Sequence, residues 1–262
     1  MKHVAKKRFG QNFLTDQSVI GSLIDAISPQ HDDLMVEIGP GLGALTKPLM
    51  QKLKLLHVVE LDRDICAWMG KEYAKQTTEQ SLIIHNVDAL KYDFTSLGKN
   101  LRVTGNLPYN ISTPILFHLL ANVAGINDMH FMLQKEVVER MVAMPSTPAY
   151  GRLSVMLQYH LAMEYLITVP PTSFEPAPKV ESAFVRCVPH AVLPFVAKNE
   201  ALFAKVVLAA FGQRRKTLRN TLKGLLDDDG FAALNISAQL RAENLSVSQF
   251  VAISNYLGNY LV

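Results

Sequence analysis

The stretch Thr104-Gly105-Asn106-Leu107-Pro108-Tyr109-Asn110 combines residue types suited to one reaction, the transfer of a methyl group to an aromatic amine. The nitrogen of such an amine is a poor nucleophile, because its lone pair is delocalised into the ring. Acceptors that hold its two protons turn the lone pair toward a methyl carbon in line with the leaving group. Asn106 offers a neutral side-chain carbonyl for this, and Leu107 offers a backbone carbonyl. Pro108 fixes φ and keeps Leu107 extended, so that its carbonyl can point into a site instead of joining a helix. Tyr109 offers a flat face for a purine, a stack worth about 1–3 kcal/mol per base. No strong base is needed, since positive charge passes from a sulfonium to the amine and the proton leaves later to water. Catalysis is then positioning and electrostatics. Read in isolation, the tetrapeptide 106–109 is a strand-ending turn with a packed tyrosine, so its setting decides.

A second group of residues supplies that setting. Glu37-Ile38-Gly39-Pro40-Gly41-Leu42-Gly43 follows an apolar run and precedes a helical one. Glycines there permit a sharp turn and a close approach of backbone to ligand, with Gly39 and Gly41 as the cofactor candidates. Glu60 closes the next apolar run about twenty residues on, where a carboxylate can accept both hydroxyl protons of a ribose. Asp88 follows a third run and is placed to accept from an adenine amino group. Gly39, Gly41 and Ala44 also satisfy the looser fingerprint of a nicotinamide dinucleotide site, so the turn alone leaves a dehydrogenase open. A plain turn with surface carboxylates is the bland alternative. The 104–110 stretch favours methyl transfer, because a dehydrogenase has no use for it.

For these residues to meet, the elements carrying them must end at one edge. Strand-like runs over 34–38, 55–61, 82–85, 101–105 and 128–133 alternate with helical periodicity through roughly the first 165 residues. That pattern predicts a doubly wound α/β fold with a mostly parallel sheet, in which ligands gather at the carboxyl ends of the strands. Helices are expected over 44–52 and over 62–73, the latter capped by Asp62. After a helical 151–163, residues 165–169 and 182–188 read as two further strands, making about seven. They are expected to form a hairpin at the sheet edge, where the proline-rich 170–179 is tolerated. Pro189 and Pro194 bracket a linker, beyond which the pattern is wholly helical, giving expected domains of 1–190 and 191–262. In a helix predicted over 208–225, Phe211, Leu218, Leu222 and Leu225 share one face, while Arg215, Arg219 and Lys223 step by four along another.

The 262 residues are 49% hydrophobic, enough for a sizeable core. No apolar run reaches the roughly 18 residues of a membrane span, and the start is basic and polar, so neither a membrane nor secretion is expected. Cys66 and Cys187 lie far apart and outside any CxxC spacing, which supports no metal and no disulfide and makes a reducing cytoplasm the expected location. The net charge of +3 is mild but unevenly spread. Lys2, Lys6, Lys7 and Arg8 form one basic cluster, and Arg214, Arg215, Lys216, Arg219 and Lys223 form another. Each is either a solvated face or a nucleic-acid contact.

Taken in order, the motifs resemble the ribosomal RNA adenine dimethyltransferase family over essentially the full length. The matching segments are Arg8 to Leu14, Val36 to Gly43, Glu60 to Asp62, Asp88-Ala89, Gly105 to Pro114 and Phe174 to Ser182. The resemblance implies a Rossmann-like S-adenosylmethionine-dependent methyltransferase sheet with a small C-terminal all-helical domain. It implies dimethylation of two adjacent adenines in a hairpin of small-subunit (16S) ribosomal RNA, within a subunit precursor, and a role in small-subunit biogenesis. It also implies that Asn12 and Leu14 contact S-adenosylmethionine together with Gly39, Gly41, Glu60, Asp88 and Asn106. Residues 8–14 by themselves read only as a basic segment leading into a helix capped by Thr15 or Asp16. Phe174 is implied to form the wall opposite Tyr109, sandwiching a flipped-out base; from its setting alone it is a loop anchor. Arg214, Arg215, Arg219 and Lys223 of the helical domain are implied to grip the RNA backbone. A monomer is the simplest expectation. Two alternatives stand beside this one: a large-subunit ribosomal RNA adenine methyltransferase of the macrolide-resistance type, and a non-enzymatic assembly or RNA-binding factor. Intact Asn106, Tyr109, Glu60 and Asp88 argue against the latter.

Overall fold

The computed structural model describes residues 11–259, so the basic cluster Lys2, Lys6, Lys7 and Arg8 lies outside the described residues. In chain order the elements begin with β1 (Phe13–Leu14), α1 (Gln17–Ile27), β2 (Met35–Ile38), α2 (Thr46–Met50), β3 (Leu56–Glu60), α3 (Arg63–Glu72), α4 (Ala74–Thr78), β4 (Leu82–Asn86) and β5 (Leu101–Asn106). They continue with α5 (Ser112–Leu120), β6 (Ile126–Gln134), α6 (Lys135–Val142), α7 (Arg152–His160), β7 (Leu161–Val169), β8 (Phe174–Glu175) and β9 (Ser182–Pro189). Four helices complete the order: α8 (Glu200–Ala210), α9 (Leu218–Thr221), α10 (Asp228–Ala233) and α11 (Val247–Gly258).

Seven strands form one sheet in the order β4-β3-β2-β5-β6-β9-β7. The β2–β3, β2–β5, β3–β4 and β5–β6 pairs are parallel, and β9 joins β6 antiparallel. Every residue of β2 and β3 is buried, as expected for parallel strands covered on both faces by crossover helices. The register aligns Ile38 with Val59, Glu60 with Asn86 and Asn106 with Met132, so the strands carrying the candidate residues finish at one edge. The last two strands are neighbours with β7 outermost, and Pro170 and Pro171 lie beyond the end of β7 in a short 3-10 turn.

Helix α1 starts where Asp16 Oδ1 accepts from the Ser18 and Val19 amides. It buries Ile20, Leu23, Ile24 and Ile27 at helical spacing in a cluster with Met35, Leu49 and Leu56. Its far end is locked by Arg102 of β5. The Arg102 guanidinium grips Asp128 through Nε and Nη2 (2.8 and 2.9 Å), donates to Asp33 at 2.6 Å and reaches the Ile27 carbonyl at 2.6 Å.

Chain contacts separate two units, Met1–Val138 with Glu164–Pro189, and Glu139–Met163 with His190–Val262. The cut after Pro189 falls beside the expected boundary. Glu139–Met163, however, groups with the helical unit rather than with the sheet. The reason is packing: Ala143, Tyr150, Val155 and Tyr159 are buried in one cluster with Phe203, Leu218 and Phe250. Helix α7 also stops at His160, and the chain passes directly into β7, so the helical reading of 151–163 was a few residues too long.

The continuous helix expected over 208–225 is not present. Helix α8 ends at Ala210, residues 211–217 form turns, and α9 has only 4 residues. The chain is diverted because the Leu218 amide donates to the Leu240 carbonyl and the Arg219 amide to the Ala238 carbonyl, seating Leu218 and Leu222 in the core from a new direction. Arg215, Arg219 and Lys223 therefore do not share a helical face.

Arg102→Leu would leave Asp128 and Asp33 without their buried partner, and removing one member of a buried ion pair typically costs about 3–5 kcal/mol. Urea unfolding is expected to show a loss in that range. A loss below about 1 kcal/mol, the level of an exposed pair, would contradict the anchoring role.

Candidate active site at the carboxyl edge of the sheet

The turn after β2 is built from backbone that ordinary side chains avoid. Gly39, Gly41 and Gly43 have φ of 66, 55 and 79°. A Cβ on Gly41 would sit 3.1 Å from the Phe13 ring, so the missing side chain is what lets β1 lie across the turn. Strand β1 is held there by antiparallel pairing with β8, in which Phe13 faces Glu175 and Leu14 faces Phe174. Ser173 clasps the same segment: its carbonyl accepts from the Thr15 amide at 2.9 Å, and its hydroxyl donates to Asp16 at 3.2 Å.

Glu60 ends β3 almost buried, at 9% exposure, with Oε1 accepting from the Asp62 amide at 2.8 Å. Burial pushes its carboxyl above the usual range, opposed by amide hydrogen bonds from Asp62 and Gly41. The carboxylate therefore touches the glycine turn itself. Asn86 closes β4 by donating to the Glu60 carbonyl at 2.9 Å. Asp88 follows it, with Oδ1 accepting from the Leu90 amide at 3.0 Å. Beneath Glu60, burial pushes the Cys66 thiol up to about 11, which leaves it unreactive at neutral pH.

At the end of β5, Asn106 Nδ2 donates to the Asn12 carbonyl at 3.1 Å. The Leu107 amide donates to the Met132 carbonyl at 3.1 Å, and a turn closes from the Ile111 amide to the Pro108 carbonyl, also 3.1 Å. Tyr109 is half-buried, with its hydroxyl 2.7 Å from Ser182 Oγ.

One cleft of ≈ 830 Å³ is lined by Asn12, Leu14, Gly39, Gly41, Glu60, Asp88, Asn106, Leu107, Pro108 and Tyr109. Every catalytic and cofactor candidate from the sequence thus faces one space. Positive-φ glycines that clear the turn, and two strand-end carboxylates for hydroxyl and amine donors, fit an adenosyl group bound there. Phe174 is not brought to this cleft. It is 5% exposed and packed with Leu14 in the core, the loop-anchor reading of its position. Arg214, Arg215, Arg219 and Lys223 belong to the second unit and are exposed. Arg214 donates to the Pro148 carbonyl at 2.7 Å and lies 3.6 Å from Glu243, and Arg219 pairs with Asp228 at 2.8 Å.

Sequence reading missed Glu37. It is 2% exposed, and Thr46 Oγ1 donates to its Oε2 at 2.6 Å, tying β2 to the start of α2 beneath the glycine turn. Burial pushes its carboxyl up to about 7, with the Glu60 charge adding to the rise and the Thr46 bond opposing it. A single acid in the buried run Met-Val-Glu-Ile was the available signal. The β1–β8 pairing was missed as well, because two-residue strands carry no periodicity.

The family model for ribosomal RNA adenine dimethylase matches residues 2–259. Curated relatives include a ribosomal RNA small subunit methyltransferase A from Methylobacillus flagellatus, 70% identical over 98% of this chain and 99% of that protein. Another, from Dechloromonas aromatica, is 55% identical over 97% and 98% of the two chains. Among solved structures, a dimethyladenosine transferase from Plasmodium falciparum superposes with a TM-score of 0.75 at 23% identity, covering 92% of this chain and 95% of that one. The 23S rRNA methyltransferase ErmE superposes at 0.73 with 20% identity, covering 94% and 100%. At these identities the two structures show the shared fold.

Glu37 makes stability depend on pH in a defined direction. Its native pKa of about 7 lies above the ordinary 4.5, so between these values the native state holds a proton that the unfolded chain has lost. Its contribution is fullest below 4.5 and falls as pH rises through 7. Glu37→Gln keeps an acceptor for Thr46 and cannot ionise, so its melting temperature should gain on the parent's from pH 5 to 7.5, by the equivalent of roughly 2 kcal/mol. A constant difference across that range would contradict the raised pKa.

Proposed function

The chain belongs to the ribosomal RNA adenine dimethylase family, and from that premise we propose that its cleft methylates the N6 amines of two adjacent adenosines in a hairpin of small-subunit (16S) ribosomal RNA. The observation that carries this reading is the Asn106 amide. Its nitrogen is committed to the Asn12 carbonyl at 3.1 Å, which leaves Oδ1 to act as the acceptor the chemistry needs.

S-adenosylmethionine, when bound, supplies an electrophilic methyl on a sulfonium. Glu60 holds the ribose hydroxyls, Asp88 takes the cofactor's adenine amine, Gly39 and Gly41 admit the ligand against the backbone, and Asn12 and Leu14 cover it. Asn106 Oδ1 and the Leu107 carbonyl accept the two protons of the target amine and turn its lone pair out of the ring. Pro108 keeps the Leu107 carbonyl aimed, and Tyr109 stacks on the purine. The amine sheds its proton to water, so no side chain serves as a strong base, and rate comes from alignment and preorganised dipoles. Phe174 reaches a flipped base only by leaving its core packing; where it stands, it anchors β1.

The second unit supplies RNA contacts through its exposed basic residues. Arg215, Lys216 and Lys223 offer charge directly, and the Arg214 and Arg219 pairs, being exposed, are weak enough to be exchanged for phosphate. The chemistry calls on no metal. One cleft carries every residue proposed for catalysis and cofactor binding, so a monomer acting on a small-subunit precursor in the cytoplasm suffices for it.

The test is transfer of labelled methyl to purified unmethylated ribosomal subunits, with nucleoside analysis. Dimethyladenosine is expected in the small subunit; label confined to the large subunit would favour the resistance-type activity, and none in either the binding factor. Asn106→Ala is expected to lower turnover at least about 100-fold, the scale of losing one transition-state hydrogen-bond partner, with a much smaller change in cofactor affinity. Glu60→Ala should chiefly weaken the cofactor, by about tenfold or more. Near-normal turnover in the Asn106 variant would sink the catalytic assignment. Reversing the charges of Arg215 and Lys223 should weaken RNA binding and reduce its salt slope by about 1 per residue, with cofactor affinity unchanged. Unaltered RNA binding would mean these residues are merely solvated.

A further inference from the structure

The antiparallel direction of β9 has a chemical result. Strands β2, β3 and β5 reach the cleft with their last residues, whereas β9 reaches the same edge of the sheet with its first, Ser182. Across β6 the register runs from Asn106 to Met132 and from Met132 to Phe184, two residues beyond Ser182. The end of the catalytic strand and the start of β9 are thus fixed by one shared ladder.

Ser182 is fully buried, at 0% exposure. Its backbone pairs with Gln134, and the preceding residue is held twice: the Lys135 amide donates to the Glu181 carbonyl at 3.0 Å, and Lys135 Nζ pairs with the Glu181 carboxylate at 2.8 Å. The serine is therefore a rigid post. The Tyr109 hydroxyl lies 2.7 Å from Ser182 Oγ, while the Tyr109 carbonyl accepts from Ser112 Oγ at 3.1 Å. The tyrosine is held at both ends, by its backbone and by the tip of its ring.

We propose that Ser182 is a positioning residue for methyl transfer, fixing the plane of the Tyr109 ring so that its face is presented to the target base beside Asn106. A stacking face orients a base only if the ring itself cannot swing. A tyrosine fastened at its carbonyl alone keeps rotation about its side-chain bonds, and a phenylalanine at 109 would have no tip to fasten. Serine suits the post because it brings a hydroxyl on the smallest branch into a fully buried position, where the extra methyl of threonine would have to be packed. The inference rests on the methyl-transfer reading of the cleft.

The test is a double-mutant cycle with Ser182→Ala, Tyr109→Phe and the double variant, reading turnover on small ribosomal subunits and cofactor dissociation constants side by side. Each single change is expected to lower kcat about tenfold, one hydrogen bond's orienting effect at about 1.4 kcal/mol per decade, with cofactor affinity within about twofold of the parent's. The double variant should be no slower than either single one, because both remove the same contact. Independent losses multiplying to about a hundredfold, unchanged turnover in Ser182→Ala, or a drop in cofactor affinity matching that in kcat would overturn the positioning role. Parent enzyme that methylates neither subunit would overturn the functional reading, and this inference with it.

Discussion

The site depends on how closely β2 and β5 run together at their carboxyl ends. A Cβ at Gly105 would run into the Ile38 carbonyl, so only glycine allows the two central strands to close to this separation. That closeness sets the turn proposed to take the cofactor beside the loop proposed to carry catalysis, to the point that a Cβ on Gly39 would lie 3.8 Å from the Asn106 carbonyl oxygen. In-line transfer needs donor and acceptor held in near-contact, and a misplacement of about 1 Å can cost about two decades in rate. A larger residue at 105 would have to part the strands, and with them the two halves of the proposed site.

Charge is arranged around the same point. Glu37 and Glu60 are 2 and 9% exposed on adjoining strands, Asp62 two residues further on is 3% exposed at the cap of α3, and the Glu37 and Glu60 carboxyls are both raised chiefly by burial. Buried carboxyls of this kind favour a ligand carrying a positive centre and hydroxyl donors. Strain, burial and charge all converge on the glycine turn. The residues proposed to hold the target amine, Asn106 and Leu107, are neutral, in keeping with a reaction that asks for alignment rather than proton abstraction.

Much of this was legible in the sequence because the fold puts short-range signals at strand ends. Apolar runs of four to seven residues marked the strands, and in a doubly wound sheet that was enough to bring Gly39, Glu60, Asp88 and Asn106 to one edge. What escaped reading was held by long-range pairing. Phe13 and Leu14 become a strand only because Phe174 and Glu175 lie opposite, and Ser182 gains its role only because β9 runs antiparallel to β6. The failed helix over 208–225 has the same origin, since its periodicity was real but carbonyls at 238 and 240 drew the chain off line. Family resemblance supplied the roles of Asn12 and Leu14, for which spacing held no signal. It also suggested a base-facing Phe174, where the fold has a buried anchor.

The most direct test of the account is a structure of the enzyme with S-adenosylhomocysteine and an RNA hairpin carrying the target adenines. The account predicts one adenine turned out of the helix into the cleft, its N6 within hydrogen-bond distance of both Asn106 Oδ1 and the Leu107 carbonyl, and its ring against Tyr109. An adenine that stays stacked in the hairpin, or enters with N6 turned away from Asn106, would contradict it.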